Sequence, residues 1–317
     1  MTFELDPIGV LCGGPSRERE ISLRSGQAVH DALQSLELPV KLVVLSEDPQ
    51  RIPEELKAAK LGCAFVALHG YFGEDGTLQA LLEQMRIPYT GSSAEACRYG
   101  MDKIHSRRKW LAVGLPVPQW RLVAPVNAAS EAREMIFPLV VKPISEGSSF
   151  GISIIDSLEE LPEALQAAAS YGDQLILEEY LAGPELTVGI LQDRPLPVIQ
   201  IVPKRRFYDY IAKYTPGMTE YLVPAPLPKR VGKMVQDLAL QAHEALGCHS
   251  FSRVDLILAP GRGPVFLEIN TVPGMTRMSL LPKAAAVVGI SFPEGRLAEC
   301  QLFLRDCDVA GGSRSRG

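Results

Sequence analysis

The chain reads as α/β followed by α+β: a doubly wound opening unit, then two units in which short strands dominate. Three observations lead there. The first hundred residues alternate apolar strands with helix-period segments, which builds a parallel sheet with helices on its faces. Beyond them short strands prevail. Near the carboxyl end two apolar runs, FSRVDLILA and PVFLEIN, are joined only by Pro260, Gly261, Arg262 and Gly263, an antiparallel hairpin.

The opening unit, residues 1–100, runs Ile8 to Leu11, a helix from about Glu20 to Leu36, Val40 to Leu45, CAFVALHG, a helix from Thr77 to Met85, and IPYTG. Gly91 and Ser92 lead into MDK and the second unit, residues 101–184. It holds an amphipathic helix from Lys103 to Val113, then WRLV, LVVKP, GISII and LILEEYL, with a helix from Leu158 to Ser170. The third unit, residues 185–307, opens with ELTVGIL and PVIQIV. It crosses a polar, aromatic loop from Arg205 to Thr219 and runs through a helix from Lys229 to Leu246 into the hairpin. Helices from Ser279 to Val288 and from Pro293 to Cys307 close it, and the small, polar tail 308–317 is expected to be disordered.

Composition narrows the class. With 317 residues, 46% hydrophobic and 22% charged, the chain suits an ordinary soluble protein of two or three domains. Its 32 basic residues are scattered and the formal charge is only -5, so no nucleic-acid stripe or membrane anchor is expected, and small molecules are the expected partners. No apolar run reaches the roughly 18 residues of a bilayer span, and MTFELDPIGV lacks a basic leader, so the expected location is the cytoplasm. Cys12, Cys63, Cys97, Cys248, Cys300 and Cys307 have no CxxC spacing and read as reduced, mostly buried thiols.

The hairpin carries the chemistry. A turn centred between Gly261 and Arg262 sets Asp255 opposite Glu268 and Arg253 opposite Asn270, all four on one face. The other face reads Val254, Leu256, Leu258, Val265, Leu267 and Ile269, which is core. Two carboxylates and an amide oxygen suit hard Mg²⁺ and not Zn²⁺. The competing reading is an ion pair on a solvated hairpin. Elsewhere, Lys142 ends a strand and precedes the Gly/Ser loop SEGSSFG, a charge plus free backbone N–H groups for a polyphosphate, or else an ordinary hairpin turn. There is no GxxxxGK[ST] and no GxGxxG, so a nucleotide is gripped otherwise: Lys103 and Lys142 on phosphates, LILEEYL beside adenine, Glu185 at the ribose. Gly13 and Gly14 follow a strand, and Ser16 reads as the cap of a helix whose first turn takes Glu18 and Glu20. His69 ends a strand at the ligand-binding edge of the sheet, beside Glu74 and Asp75, although a lone histidine is often structural and Asp75 equally caps the next helix. FYDYIAKYTPG reads as a lid, or as a surface loop packing its own tyrosines.

In this order, GGPSRERE, ALHGYFGEDG, TGSS, MDK, VVKPISEGSSFGI, YDYIAKY, RVDL and LEINTVPGMT resemble the D-alanine:D-alanine ligases of the ATP-grasp superfamily, across almost the whole chain. The resemblance implies a pre-ATP-grasp domain followed by the two halves of an ATP-grasp fold, with ATP between them. It implies Glu18 at the first substrate's ammonium, linked to Ser148 and Tyr214, with His69 at the same subsite. Lys103, Lys142 and Lys213 would meet phosphates; Glu178, Glu179, Leu181, Glu185 and Phe207 complete the expected ATP contacts. Asp255, Glu268 and Asn270 would hold two Mg²⁺ ions, with Mn²⁺ as a substitute. Arg253 and the Gly274 N–H would stabilise a tetrahedral intermediate, and Ser279 with Leu280 would hold the second substrate's carboxylate.

The expected reaction is ATP-dependent joining of two D-alanines through a D-alanyl phosphate, for peptidoglycan precursors, by a homodimer. A D-lactate or D-serine acceptor is the alternative. A silent nucleotide-binding regulator and a nicotinamide oxidoreductase are further rivals, opposed by the intact charged set and by the absent GxGxxG. Glu179, Ile211 and Ser145 depart from the family pattern and bear on ATP affinity or lid dynamics.

Overall fold

The computed structural model describes residues 7–147, 149–172, 174–276 and 278–290. Ser148, the side chain of Tyr214, the expected helix from Pro293 to Cys307, Cys300, Cys307 and the tail lie outside the described residues. Among the described residues no helix is long and apolar enough to cross a membrane.

The first sheet uses β1 (Ile8–Gly13), β2 (Val40–Leu45) and β3 (Cys63–Val66), parallel in the order β2-β1-β3, with a single further bridge from Ala64 to Tyr89. Helix α1 (Arg19–Ser35) packs Val29 and Leu33 on the face of Val10, Cys12 and Phe65. On the opposite face α2 (Ile52–Ala59) and α3 (Thr77–Met85) pack Ile52, Leu56, Leu78 and Leu82 against Leu11, Leu45 and Val66, so this unit is doubly wound. Helix α2 was not anticipated: it is short, and its proline stands in the first turn, where no N–H is needed. The four described cysteines are free and buried, and burial pushes the Cys12 thiol up to about 11.

Two helices follow, α4 (Ala94–Met101) and α5 (Lys103–Ala112), joined at Asp102, whose Oδ1 accepts the N–H groups of Ile104 and His105. Here the expected amphipathic pattern is corrected. The inward face of α5 carries Lys103 and Arg107 beside Ile104, Ser106 and Trp110. Trp110 donates to the Ala242 carbonyl at 2.9 Å and packs on Phe266, with ring centroids 5.9 Å apart, which fastens α5 to the third sheet.

The central sheet has β4 (Trp120–Val123), β5 (Leu139–Pro143), β6 (Ser153–Ile155) and β7 (Leu175–Glu179), antiparallel in the order β4-β7-β5-β6. Helices α6 (Ala128–Arg133) and α7 (Leu161–Ala169) cover the face of Leu139, Val141, Leu175 and Leu177. Alternation therefore turns Lys142 and Glu178 to the other face, under α5.

The third sheet comprises β8 (Glu185–Leu191), β9 (Arg194–Pro195), β10 (Ile199–Pro203), β11 (Thr219–Leu222), β12 (Phe251–Ala259) and β13 (Gly263–Asn270), with main order β11-β10-β8-β12-β13. A short helix α8 (Tyr210–Tyr214) lies in the expected lid loop. Helix α9 (Lys229–Ala245) packs Val235, Ala239 and Ala242 on the face of Leu186, Val188, Val254 and Leu256, while α10 (Leu280–Val287) joins the cluster on the other side, shared with the first sheet.

The hairpin register at the functional end is the expected one, with Arg253 opposite Asn270 and Asp255 opposite Glu268. Its origin differs. The turn centres on Gly261, because Ala259 pairs Gly263, and a β-bulge between Asp255 and Leu256 leaves Leu267 as the extra residue that restores the pairing beyond it. Phe266, not Leu267, joins Val254, Leu256 and Ile269 in the core; Val265 and Leu267 cluster instead with Ile257, Ala259 and Leu181. The expected core face was thus right for four positions and wrong for Val265 and Leu267.

Candidate active site

A cavity of about 620 Å³ opens where the three units meet. Glu18 and His69 line it from the first unit, Lys103 from α5, and Arg253, Glu268 and Asn270 from the hairpin. Lys213 of α8 and Gly274, Ser279 and Leu280 ahead of and at the start of α10 complete its wall. Lys142, Glu178 and Asp255 are buried just behind this surface.

On the hairpin, Asp255 accepts from Arg253 Nε at 3.0 Å and Nη2 at 2.8 Å, and from the buried Thr187 hydroxyl at 2.5 Å. Thr187 faces Asp255 across β8 and β12, which sequence inspection missed because the contact joins strands 68 positions apart. The neighbouring carboxylate raises the Arg253 pKa against the opposing effect of burial. Asn270 Oδ1 is buried without a hydrogen-bond partner among the described residues. An amide oxygen in that condition, beside two carboxylates, suits a hard divalent cation. No group of three or more His, Cys, Asp and Glu able to bind a metal occurs among the described residues.

Glu268 is the electrostatic centre. Burial opposes its ionisation, yet Lys103, Lys213, Lys142 and Arg253 hold its pKa down to about 2. The Lys103 ammonium lies 3.7 Å from it and donates to the Glu146 carbonyl at 2.7 Å. These cations come from α5, α8, β5 and β12, so four separate elements converge on one carboxylate. Lys142 stands 2.8 Å from Glu178, whose other oxygen accepts from Arg107. Burial, reinforced by Arg107 and Lys103 and opposed by Glu178, brings the Lys142 pKa down to about 8.

At one end of the cavity the Gly70 backbone has φ +68°, and a Cβ there would come within 2.6 Å of Glu18 Oε2, so glycine is required for the carboxylate to tuck in. Ser16 is not the helix cap: the N-cap is Glu18, and the Ser16 hydroxyl accepts the Glu18 N–H. His69 Nδ1 lies 3.0 Å from the Val272 carbonyl, which only accepts, so Nδ1 carries a proton; Nε2 meets Ser25 Oγ at 2.9 Å. Burial works against the imidazolium, but Glu74 and Glu18 outweigh it and raise the His69 pKa. Asp75 is not the cap of the next helix, whose N-cap is Gly76; its carboxylate accepts the Thr77 and Phe72 N–H groups and orders the turn ahead of it. Ahead of α10 Ser279 Oγ accepts from Thr276 N at 3.1 Å, and a Cβ on Gly274 would come within 2.8 Å of that oxygen.

The residues of the expected lid dock on the central unit. Arg206 forks onto Asp156, Phe150 stacks on Tyr210 with centroids 5.2 Å apart, and the Ser149 hydroxyl donates to the Tyr208 carbonyl at 2.9 Å. Lys213 lies 5.0 Å from the Tyr208 ring centroid. Ile211 is exposed on α8 and Ser145 is exposed beyond β5. Away from the cavity, Leu181 packs on Ile257, Ala259 and Val265, a small apolar floor between β7 and the hairpin, while Phe207 is half-buried in the lid. Burial pushes the Glu185 carboxyl up to about 7, with Lys213 opposing. The departure at Glu179 has a partner: it accepts from Arg262 Nη1 at 2.6 Å and from the Gln119 N–H at 2.8 Å, tying the central sheet to the hairpin turn.

A cavity whose wall carries lysines and an arginine, carboxylate and amide oxygens, and the polar groups of Glu18, His69 and Ser279 is compatible with an ATP-dependent ligase. Comparison with known proteins makes the class specific. The D-ala D-ala ligase N-terminus family model matches residues 45–92 and the C-terminus model residues 110–295. The D-alanine--D-alanine ligase of Syntrophotalea carbinolica is 45% identical over 287 residues, covering 90% of this chain and 92% of that one. Among solved structures, the D-alanine--D-alanine ligase of Bacillus anthracis superposes with a TM-score of 0.85 at 34% identity, over 96% of this chain and 99% of that one. The VanG D-Ala:D-Ser ligase of Enterococcus faecalis superposes with a TM-score of 0.82 at 27% identity, over 95% and 100%. The chain belongs to the D-alanine:D-alanine ligase family, with its ATP-grasp fold. It is an ATP-dependent ligase acting on D-alanine for peptidoglycan precursor synthesis, with a divalent metal.

Proposed function

We propose that this chain phosphorylates the carboxylate of one D-alanine with ATP and lets the amine of a second displace the phosphate, giving D-alanyl-D-alanine. The observation that carries the reading is the Glu268 carboxylate on the cavity wall, with Lys103 at 3.7 Å and Lys213, Lys142 and Arg253 also acting on it, cations drawn from four elements. That convergence has no role in a solvated hairpin, and it suits the charge of a polyphosphate. In this reading Lys103, Lys142 and Lys213 bind the phosphates. Glu185 binds the ribose, and Glu178, Glu179, Leu181 and Phe207 surround the adenine end. Asp255, Glu268 and Asn270 hold Mg²⁺, two ions in all, with Mn²⁺ as a substitute; the metal, when bound, neutralises charge on the transferring phosphoryl group.

Glu18 takes the first substrate's ammonium with His69 beside it, and Ser148 with Tyr214 joins that subsite to the lid. Ser279 and Leu280 hold the second substrate's carboxylate. Arg253 and the Gly274 N–H stabilise the tetrahedral oxyanion formed when the amine attacks the acyl phosphate. Residues 1–100, 101–184 and 185–307 act as three units, with ATP between the last two. The same reading carries a homodimer working in the cytoplasm, which light scattering and cell fractionation test. The decisive experiment is phosphate release with ATP, Mg²⁺ and D-alanine alone or with D-serine or D-lactate, products separated by mass. Predominant D-alanyl-D-alanine is expected. A mixed product predominating would replace D-alanine as acceptor, and no phosphate release with any amino acid would sink the reading.

A further inference from the structure

Arg107 has no part in the chemistry above, yet it is the most deeply buried of the described lysines and arginines, at 0% exposure. One of its terminal nitrogens donates to Glu178 Oε2, while Lys142 Nζ stands 2.8 Å from Glu178 Oε1. One carboxylate is therefore shared by two cations, an oxygen to each. The arrangement follows from the register of β5 and β7: Lys142 pairs Ile176 and Glu178 pairs Val140, so the two side chains are diagonal neighbours on one face. Helix α5 lies over that face, with Ile104 packed against Ile144 and Ile176.

Arg107 Nε and Nη1 have no hydrogen-bond partner among the described residues. A buried guanidinium with unpaired donors is unfavourable for stability, and an apolar side chain would fill the same space at lower cost. Its presence there points to an electrostatic reason. Lys142 and Glu178 alone would be a neutral pair; with Arg107 the buried group carries one net positive charge. We propose that Arg107 is a positioning residue for ATP use, holding one oxygen of Glu178 so that the Lys142 charge is not wholly compensated by its own partner and the buried group presents a net positive charge toward the nucleotide. This rests on the reading that Lys142 binds ATP phosphates. The charged groups facing Lys142 are Glu178 from β7, Arg107 and Lys103 from α5, and Glu268 from β13. Removing Arg107 takes away a like charge and raises the Lys142 pKa; removing the Glu178 charge lowers it.

The test uses full-length Arg107→Met, Arg107→Lys, Glu178→Gln and Lys142→Met proteins. Titration calorimetry with Mg²⁺ and a non-hydrolysable ATP analogue is combined with kcat and KM for each substrate across pH and with thermal melts. Arg107→Met is expected to weaken analogue binding and raise KM for ATP by roughly tenfold, with KM for D-alanine little changed, and Arg107→Lys to recover most of the loss. The alkaline limb of kcat/KM for ATP should move up in Arg107→Met and down in Glu178→Gln, a divergence that general loosening of the fold does not produce. Wild-type analogue binding in Arg107→Met, with Lys142→Met impaired, would overturn the inference. Wild-type binding in Lys142→Met would instead remove the phosphate role on which it rests. If Arg107→Met does not fold, the polar Arg107→Gln takes its place: wild-type analogue binding there overturns the inference and a roughly tenfold loss supports it.

Discussion

Glu268 and Glu185 are carboxylates on one sheet pushed in opposite directions, and the difference lies in their neighbours. Glu268 is ringed by Lys103, Lys213, Lys142 and Arg253, which hold it ionised to about pH 2; Glu185 is dominated by burial, which pushes it up to about 7. Replacing Glu268 with Gln removes one charge from the oxygen set while keeping its shape. In a folded Glu268→Gln protein at saturating Mg²⁺, kcat should fall by at least about 100-fold. Turnover near that of the parent would reduce the hairpin to a structural role. For Glu185 the expected signature is pH-dependent. As pH falls through about 7 its carboxylate takes up a proton and becomes a weaker acceptor for ribose hydroxyls, so ATP affinity should decline on the acid side. Calorimetry on Glu185→Gln should give weaker binding with that decline flattened; an unchanged pH profile would remove Glu185 from the ribose site.

The lid illustrates how an element can be held by one contact more than another. Its Arg206–Asp156 pair is largely solvent-exposed, so screening leaves it little strength, whereas the Phe150–Tyr210 stack is partly shielded. Asp156→Asn is therefore expected to raise KM for ATP only about two- to fivefold, and the difference should vanish at high salt. Phe150→Ala should raise it by about tenfold at any salt concentration. Steady-state kinetics at low and high ionic strength separates the two; equal salt sensitivity would mean the lid is held chiefly by charge. The hairpin makes a related point: its bulge adds Leu267 to the apolar floor beside Leu181 without disturbing the pairing of Asp255 with Glu268.

At the level of the whole molecule, three sheets converge on a site whose charges help hold the units together before any substrate arrives. Glu268 has a folded-state pKa below its ordinary value, so its contribution to stability is present above about 4.5 and is lost as pH falls toward about 2. Without nucleotide, Glu268→Gln should melt below the parent at neutral pH, and the gap in Tm should close as pH drops below about 4.5. Calorimetric melts of both proteins across that window check this. A gap that stays constant with pH would mean the carboxylate is not stabilised by its cations. Nucleotide with Mg²⁺ at about 100 times Kd should add about 2.7 kcal/mol to the parent's stability, raising Tm by a few degrees.

The hairpin cluster, the opening α/β unit and most strands were legible in the sequence because each depends on local periodicity, and alternation alone turns Arg253, Asp255, Glu268 and Asn270 to one face. Helices α2, α4, α6 and α8 escaped because they are only 8, 8, 6 and 5 residues long, at most about two turns, too short for a repeating apolar pattern to stand out. The bulge escaped because PVFLEIN is apolar at both parities, so no residue betrays the slip. The partners of charged groups belong to another category. Thr187 on Asp255, Arg107 on Glu178, Arg262 on Glu179 and the four cations around Glu268 join elements far apart in the chain, and no spacing rule links them. The sequence by itself determined which chemical groups this ligase carries and which face of each strand presents them, since backbone geometry alone decides that. Only the tertiary structure decided which charges share a carboxylate and therefore which remain free for a substrate, because charge pairing depends on distances of a few ångströms that packing alone sets.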